Sequence, residues 1–198
     1  MTSINARTAD YDIDPLFLER WSPRAFTSEE IPVAALATLF EAARWAPSSY
    51  NSQPWRLLYA RRGTPHWECF LGLLNEFNQS WAKNAAALIV VVSSETMVSP
   101  GTDKPVPAYS HSFDAGAAWA QLALQATRSG WHAHAMVGFD HARAASELNV
   151  PDGFRVEAAI AIGRKADPST LPEKLAAREL PSQRIALSDI ALEGGFQK

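Results

Sequence analysis

An α+β fold is what the sequence predicts, with helices on both sides of a central sheet as an α/β/α three-layer sandwich. Three observations carry that expectation. A-A-A-L-I-V-V-V, residues 85–92, is an unbroken apolar run of strand length, as a strand buried on both faces requires. The longest helical pattern runs from about Phe113 to Ser129 and stops at Gly130, a natural residue just past a helix end. Its face of Phe113, Gly116, Ala117, Ala120, Ala123 and Leu124 is mostly small, so a second helix can approach closely, in the core or at an interface. Finally, strand-like and helix-like segments alternate along the chain, the pattern of stacked helix and sheet layers.

Taken in order, residues 1–11 are polar and read as a loose N-terminus. The first strong helix follows Ile31-Pro32, with Pro32 suited to the first helical position because its missing N–H costs nothing there. Leu36, Leu39, Phe40 and Ala43 recur at helical spacing and define a buried face, and Pro47 is expected to end the helix. After the loop A-P-S-S-Y-N-S-Q-P, W-R-L-L-Y-A reads as a strand. Residues 65–83 read as helix in one or two pieces, and residues 98–110, with three prolines and a glycine, as a loop. W-H-A-H-A-M-V (131–137) and R-V-E-A-A-I-A-I-G (155–163) read as strands. Between them lies a short helix from about His141 to Leu148 that Asp140 can cap. From Leu180 onward the chain is apolar enough to pack, but Pro181, Gly194 and Gly195 oppose a long regular element. It reads as an arm over about 180–198.

Bulk properties narrow the function. The 198 residues suit a single domain spanning 1–198, with 47% hydrophobic and 20% charged residues and a net charge of −3. No stripe or tail of Lys and Arg points to nucleic acid. The longest apolar run is far short of the roughly 20 residues a membrane helix needs. The first ten residues have no apolar core of a secretion signal, and Cys69 is the single cysteine, so a cytoplasmic protein is expected. Cys69 itself reads as a small buried side chain.

Common motifs for dinucleotide, nucleotide triphosphate and ester chemistry are absent, as is C-x-x-C. His132 and His134 alternate along one strand and could share a face. A metal would still need a third ligand from afar, such as His111 or Cys69, so no metal is expected. Two other stretches stand out. Arg20-Trp21-Ser22-Pro23-Arg24-Ala25-Phe26 brackets a serine and a proline with two guanidinium groups, which suits an anion or an exposed turn equally. Ala46-Pro47-Ser48-Ser49-Tyr50-Asn51-Ser52-Gln53-Pro54-Trp55 joins an apolar helix to an apolar strand. It offers hydroxyls, amides and backbone N–H groups that can read the edge of a flat heterocycle.

Together these stretches resemble the nitroreductase family of flavoproteins. That family typically shows Arg-x-Ser-x-Arg/Lys-x-Phe, followed by a helix ending in Ala-Pro-Ser and a Ser/Asn-x-Gln-Pro-Trp loop. Order and spacing match, and the resemblance runs from about residue 14 to 190. It implies a nitroreductase-like intertwined homodimer with exchanged C-terminal arms and flavin mononucleotide (FMN) at the subunit interface. By position, it puts Arg20, Trp21, Ser22 and Arg184 near the FMN phosphate and Arg24 near the pyrimidine edge and ribityl chain. Pro47, Ser48, Ser49 and Asn51 fall in the loop that the other subunit supplies. Asn78 would read the pyrimidine ring, and Val137 and Gly138 would lie near the reactive face. Tyr50, Tyr109 and Phe113 could shape the substrate slot, though ordinary packing explains Phe113 equally well. Three positions depart from the family: a second basic residue near the pyrimidine edge is Trp81 here, unless Lys83 substitutes, an acidic residue is Val137, and a basic one is Ser182.

The resemblance further implies an FMN-dependent oxidoreductase. NADH or NADPH donates transiently, and a small acceptor such as a nitroaromatic or quinone then enters in ping-pong order. With the chemistry on the flavin, no catalytic acid or base is expected from the protein. Other flavin chemistry on the same fold (oxidation, dehalogenation, flavin breakdown) and a catalytically idle flavin-binding protein remain alternatives, since a fold does not fix a function.

Overall fold

The apolar run at 85–92 becomes the middle of the molecule because its alternate side chains serve two cores. In the computed structural model, which describes residues 6–99 and 101–196, the chain begins with α1 (Leu16–Glu19), α2 (Val33–Arg44) and β1 (Trp55–Arg61). It continues through α3 (Trp67–Leu73), α4 (Glu76–Ala82), β2 (Ala87–Ser94), β3 (Thr96–Val98), β4 (Pro105–Pro107) and α5 (His111–Arg128). Then come β5 (His132–Met136), α6 (His141–Glu147), β6 (Phe154–Gly163) and α7 (Glu173–Ala176). Residues 1–5 of the expected loose N-terminus, residue 100 of the expected loop and residues 197–198 of the arm lie outside the described residues.

The central sheet has four strands in the order β1-β2-β6-β5, and every pairing is antiparallel. Leu88, Val90 and Val92 of β2 point into a core with α3 and α4, whereas Ala87, Ile89 and Val91 point into one with α2 and α5. In β6, Ala159 and Ala161 join the first core and Ile160 and Ile162 the second. Strand side chains alternate faces, so two such neighbouring strands force helices onto both sides of the sheet. The result is the α/β/α sandwich.

Helix α2 ends at Arg44 with Trp45 as its C-cap, so Pro47 stands just beyond the helix, as expected of the proline that stops it. Several boundaries differ from the sequence expectation. Pro32 is the extended N-cap (φ −59°, ψ 143°) and not the first helical residue. The loop expected over 98–110 contains strand β4, which pairs with β3 through Thr96↔Pro107 and Val98↔Pro105. Prolines are tolerated there because the ribbon has only two strands and both are edges. The loose N-terminus is corrected in part: Arg7 Nε donates to Ser182 O at 2.8 Å, and Arg7 Nη1 donates to Leu18 O at 3.1 Å and Arg20 O at 2.8 Å. Cys69 is half-buried, and its Sγ donates to Glu147 Oε2 at 3.4 Å.

Helix α5 buries Asp114, Ala115, Ala118, Leu122, Ala123 and Ala126, whereas Phe113, Gly116 and Ala120 of its small face are exposed. Gly130 follows it with φ +74°, the left-handed turn that ends a helix. Beyond Glu179 the chain makes a single 3-10 turn, Leu187–Asp189, and exposes Leu180, Ile185, Leu187, Ile190, Leu192 and Phe196. Among the described residues, no helix is long and apolar enough to cross a membrane.

Candidate functional site

Arg20 and Arg184, 164 positions apart, meet in one pocket of about 290 Å³. Its walls are Arg7, Arg20, Trp21, Ser22, Arg24, His134, Arg178, Leu180, Ser182 and Arg184. The site residues expected from the first motif and from the tail are therefore brought together. Arg7, Arg178 and His134 were not among them. A single chain gives no signal for such convergence, since Arg7 lies thirteen residues before the motif and in no pattern with it.

Local structure accounts for the pocket's shape. The R-W-S-P-R segment runs irregularly from α1, which ends at Glu19, into the isolated bridge Phe26↔Lys165 that ties it to the end of β6. Glu179 is almost wholly buried. Its Oε1 accepts from the backbone N–H of Arg24 at 2.5 Å and of Ala25 at 2.8 Å, and its Oε2 lies 3.8 Å from Arg24 Nη1. Arg7 brackets the other side, tying the arm at Ser182 to the carbonyls of Leu18 and Arg20.

The electrostatics are lopsided. Among the described residues, five guanidinium groups and no carboxylate line the pocket. Burial, then the charge of Arg184, then that of Arg20 lower the Arg7 pKa, and burial followed by Arg184 lowers that of Arg20. Arg24 Nε and Glu179 Oε2 are buried without a hydrogen-bond partner. An anion would supply an acceptor oxygen for Arg24 Nε and the charge opposite to the clustered guanidinium groups. A phosphate monoester offers both, so the residues present fit the phosphate end of FMN.

His134 borders this pocket. Its Nδ1 lies 3.0 Å from Pro23 O, and its ring packs on Trp81 with centroids 4.7 Å apart. Burial, opposed by the Pro23 hydrogen bond and helped by Arg24, drives its pKa down to about 4. It is therefore neutral at pH 7, with Nδ1–H donating to Pro23. His132 is also held at about 4, by burial, Lys165 and Arg164. Trp81, standing where the family has a basic residue, is fully buried between Phe26 and His134, and Lys83 is exposed at the end of α4.

A second group lies next to the first through the Trp81–His134 contact. Asn78, on α4, donates from Nδ2 to Gly138 O at 2.9 Å, and Asn75 both caps α4 and bonds Gly138 O through its N–H at 3.1 Å. A Cβ on residue 138 would sit 2.6 Å from Asn75 Nδ2 and 2.8 Å from Asn78 Nδ2, so the close approach requires glycine. Val137 beside it is exposed and, with Gly138, lines a shallow cleft towards Arg143.

The third group stands apart. Pro47, Ser48, Ser49 and Asn51 line neither pocket and lie against the start of α5. Asp114, buried in the first turn of α5, accepts from Ser49 N at 3.1 Å and from Ser110 Oγ at 2.9 Å. Ser48 Oγ accepts from Gln53 N at 3.0 Å. Tyr50, Asn51 and Gln53 have φ of 51°, 55° and 48°, with Ser52 between them at −67°; Tyr and Gln adopt such left-handed values only when the surroundings enforce it. Tyr50, Tyr109 and Phe113 are all highly exposed nearby. Among the described residues, this loop lines neither the arginine pocket nor the cleft at Gly138.

Known proteins share this fold. The model of the nitroreductase family matches residues 18–66 and 65–164. The crystal structure of an FMN-containing oxidoreductase is 50% identical and superposes with a TM-score of 0.94, covering 100% of this chain and 99% of that one. A protein of Desulfovibrio desulfuricans solved in complex with FMN is 26% identical, with a TM-score of 0.70 over 94% of this chain and 100% of its own. An NADH dehydrogenase of Thermus thermophilus is 26% identical over 199 residues, 86% of this chain and 92% of the relative. With the family model matched from the first arginine motif to the end of the last central strand, this chain belongs to the nitroreductase family.

Proposed function

We propose that this chain is an FMN-dependent NAD(P)H oxidoreductase that works as a cytoplasmic homodimer. The arginine pocket carries the reading. Five guanidinium groups face one small space, and the group best matched to them is the phosphate of the cofactor that two similar structures contain. Bound FMN supplies hydride chemistry between NADH or NADPH and a small acceptor such as a nitroaromatic or a quinone, one leaving before the other enters.

The chain's own residues bind and orient. Arg20, Ser22 and Arg184 hold the phosphate, with Trp21 closing the pocket wall. Arg24 presents positive charge to the edge of the flavin that gains negative charge on reduction. Asn78 and the backbone at Val137 and Gly138 lie along the ring system. Pro47, Ser48, Ser49 and Asn51 of the partner copy complete the site, and Tyr50, Tyr109 and Phe113 narrow the acceptor slot. The absence of that loop from the arginine pocket's walls supports the dimer, as do the exposed Gly116 and Ala120 of α5 and the exposed apolar arm. A dimer buries all three.

The test is an anaerobic spectrum of the purified protein with FMN, before and after NADH or NADPH, together with its mass in solution. Bleaching of the flavin band and a two-copy mass are expected, with parallel initial-rate lines when both substrates are varied. A flavin band that neither nucleotide bleaches transfers the assignment to another flavin chemistry or to a carrier. A chain that takes up no FMN overturns the proposal.

A further inference from the structure

Glu179 is an acidic side chain in contact with Arg24 of the guanidinium-lined wall, and it is buried to 2% exposure. Burying a carboxylate is costly unless it is paired and hydrogen-bonded. This one is held by the backbone N–H groups of Arg24 and Ala25 and faces the Arg24 guanidinium at 3.8 Å, but its Oε2 has no hydrogen bond. Arg24 Nε is likewise without one. The pair is close enough for charge to cancel and too loose to saturate either partner. Glu179 also stands immediately before the arm, three residues after α7, so it joins the R-W-S-P-R segment to the root of the arm.

We propose that Glu179 is a positioning residue that sets how much of Arg24's positive charge reaches the bound flavin. This rests on the FMN reading above. The carboxylate fixes the backbone from which Arg24 projects and offsets part of its field. Without that offset, Arg24 would favour the reduced, more negative flavin more strongly. The arrangement therefore holds the flavin potential below the value that Arg24 alone would impose.

Glu179→Gln keeps the acceptor for both backbone N–H groups and removes only the charge. In the full chain loaded with FMN, a redox titration against a dye of known potential should show an upward shift. The expected shift corresponds to a three- to tenfold gain in the preference for reduced over oxidised flavin, tenfold being about 30 mV for a two-electron couple. A merely structural role for Glu179 would change flavin retention or melting and leave the potential where it was. If Glu179→Gln does not fold, the neutral pair replaces it: Arg24→Gln alone should lower the potential, and Arg24→Gln with Glu179→Gln should restore part of the loss. An unmoved or lowered potential in Glu179→Gln, or a double variant no higher than Arg24→Gln, overturns the inference and leaves the FMN reading standing. Failure of the unaltered chain to take up FMN overturns both.

Discussion

Two polar clusters in this molecule are assembled the same way and end in opposite electrostatic states. One is the arginine pocket. The other joins Ser93 at the end of β2, Glu157 in β6, and His111 and Ser112 at the start of α5. There Glu157 Oε1 accepts from Ser93 Oγ and from Ser112 Oγ, both at 2.6 Å, and Ser93 Oγ in turn lies 2.7 Å from His111 Nδ1. Arg155 Nε faces the remaining Oε2 at 3.6 Å. Donors and acceptors match, so that cluster is complete within the chain and pins α5 to the sheet. The arginine pocket repels itself and leaves Arg24 Nε unbonded. Polar groups that satisfy one another are structure, whereas several like charges gathered in one partly buried pocket point to a ligand.

Acidification should break the contrast most strongly. His132 and His134 sit at about 4 in the folded chain against 6.5 when exposed, so the unfolded chain binds more protons between those values. Their stabilising contribution is fully present above pH 6.5 and lost as pH falls towards 4. Urea unfolding at pH 7 and pH 5 should differ by roughly 2 kcal/mol for each histidine. Replacing each by Gln should flatten that dependence.

Next in size, Glu157→Leu removes the common acceptor of the closed cluster and strands Ser93, Ser112 and His111. A loss of about 3 kcal/mol in unfolding free energy is expected, with FMN affinity changed less than about twofold. Arg20→Ala should do the reverse. Losing one charge-assisted contact is worth about 2 kcal/mol, or roughly a thirtyfold rise in the FMN dissociation constant by flavin fluorescence, with melting of the flavin-free chain little changed. The smallest effect belongs to Arg7→Ala, which removes the bracket between Ser182, Leu18 and Arg20. About 1 kcal/mol, some fivefold in FMN affinity, is expected, and Lys should not restore it because it lacks the fork that reaches three carbonyls.

Much of the architecture was legible because it rests on local periodicity. Residues 85–92 announced a strand buried on both faces, Gly130 marked the end of α5, and Asp140 capped α6 by accepting from Arg143 N. The β3–β4 ribbon was hidden by its prolines, which normally signal a loop and here occupy edge positions. The motif residues Arg20 and Ser22 were legible from spacing, and so was the 46–55 loop. Arg7, His134 and Arg178, which line the pocket, and Glu179, which lies behind Arg24, were not, because each comes from a segment with no pattern linking it to the motif. Asp114 was visible only as a helix residue, not as the carboxylate that holds Ser49.

The sequence by itself determined the layers of this protein, since hydrophobic periodicity states which face of each element must be buried wherever it packs. It also determined the chemical vocabulary of the proposed site: arginines, a serine-rich loop and a small-faced helix. Only the tertiary structure decided which charges meet. It set Arg7 and Arg184 beside Arg20, buried Glu179 against Arg24, and tied Ser49 of the 47–51 loop to Asp114 of α5. Charge energies depend on distance and burial, neither of which is written in residue order, so the same arginines could have been a solvated turn.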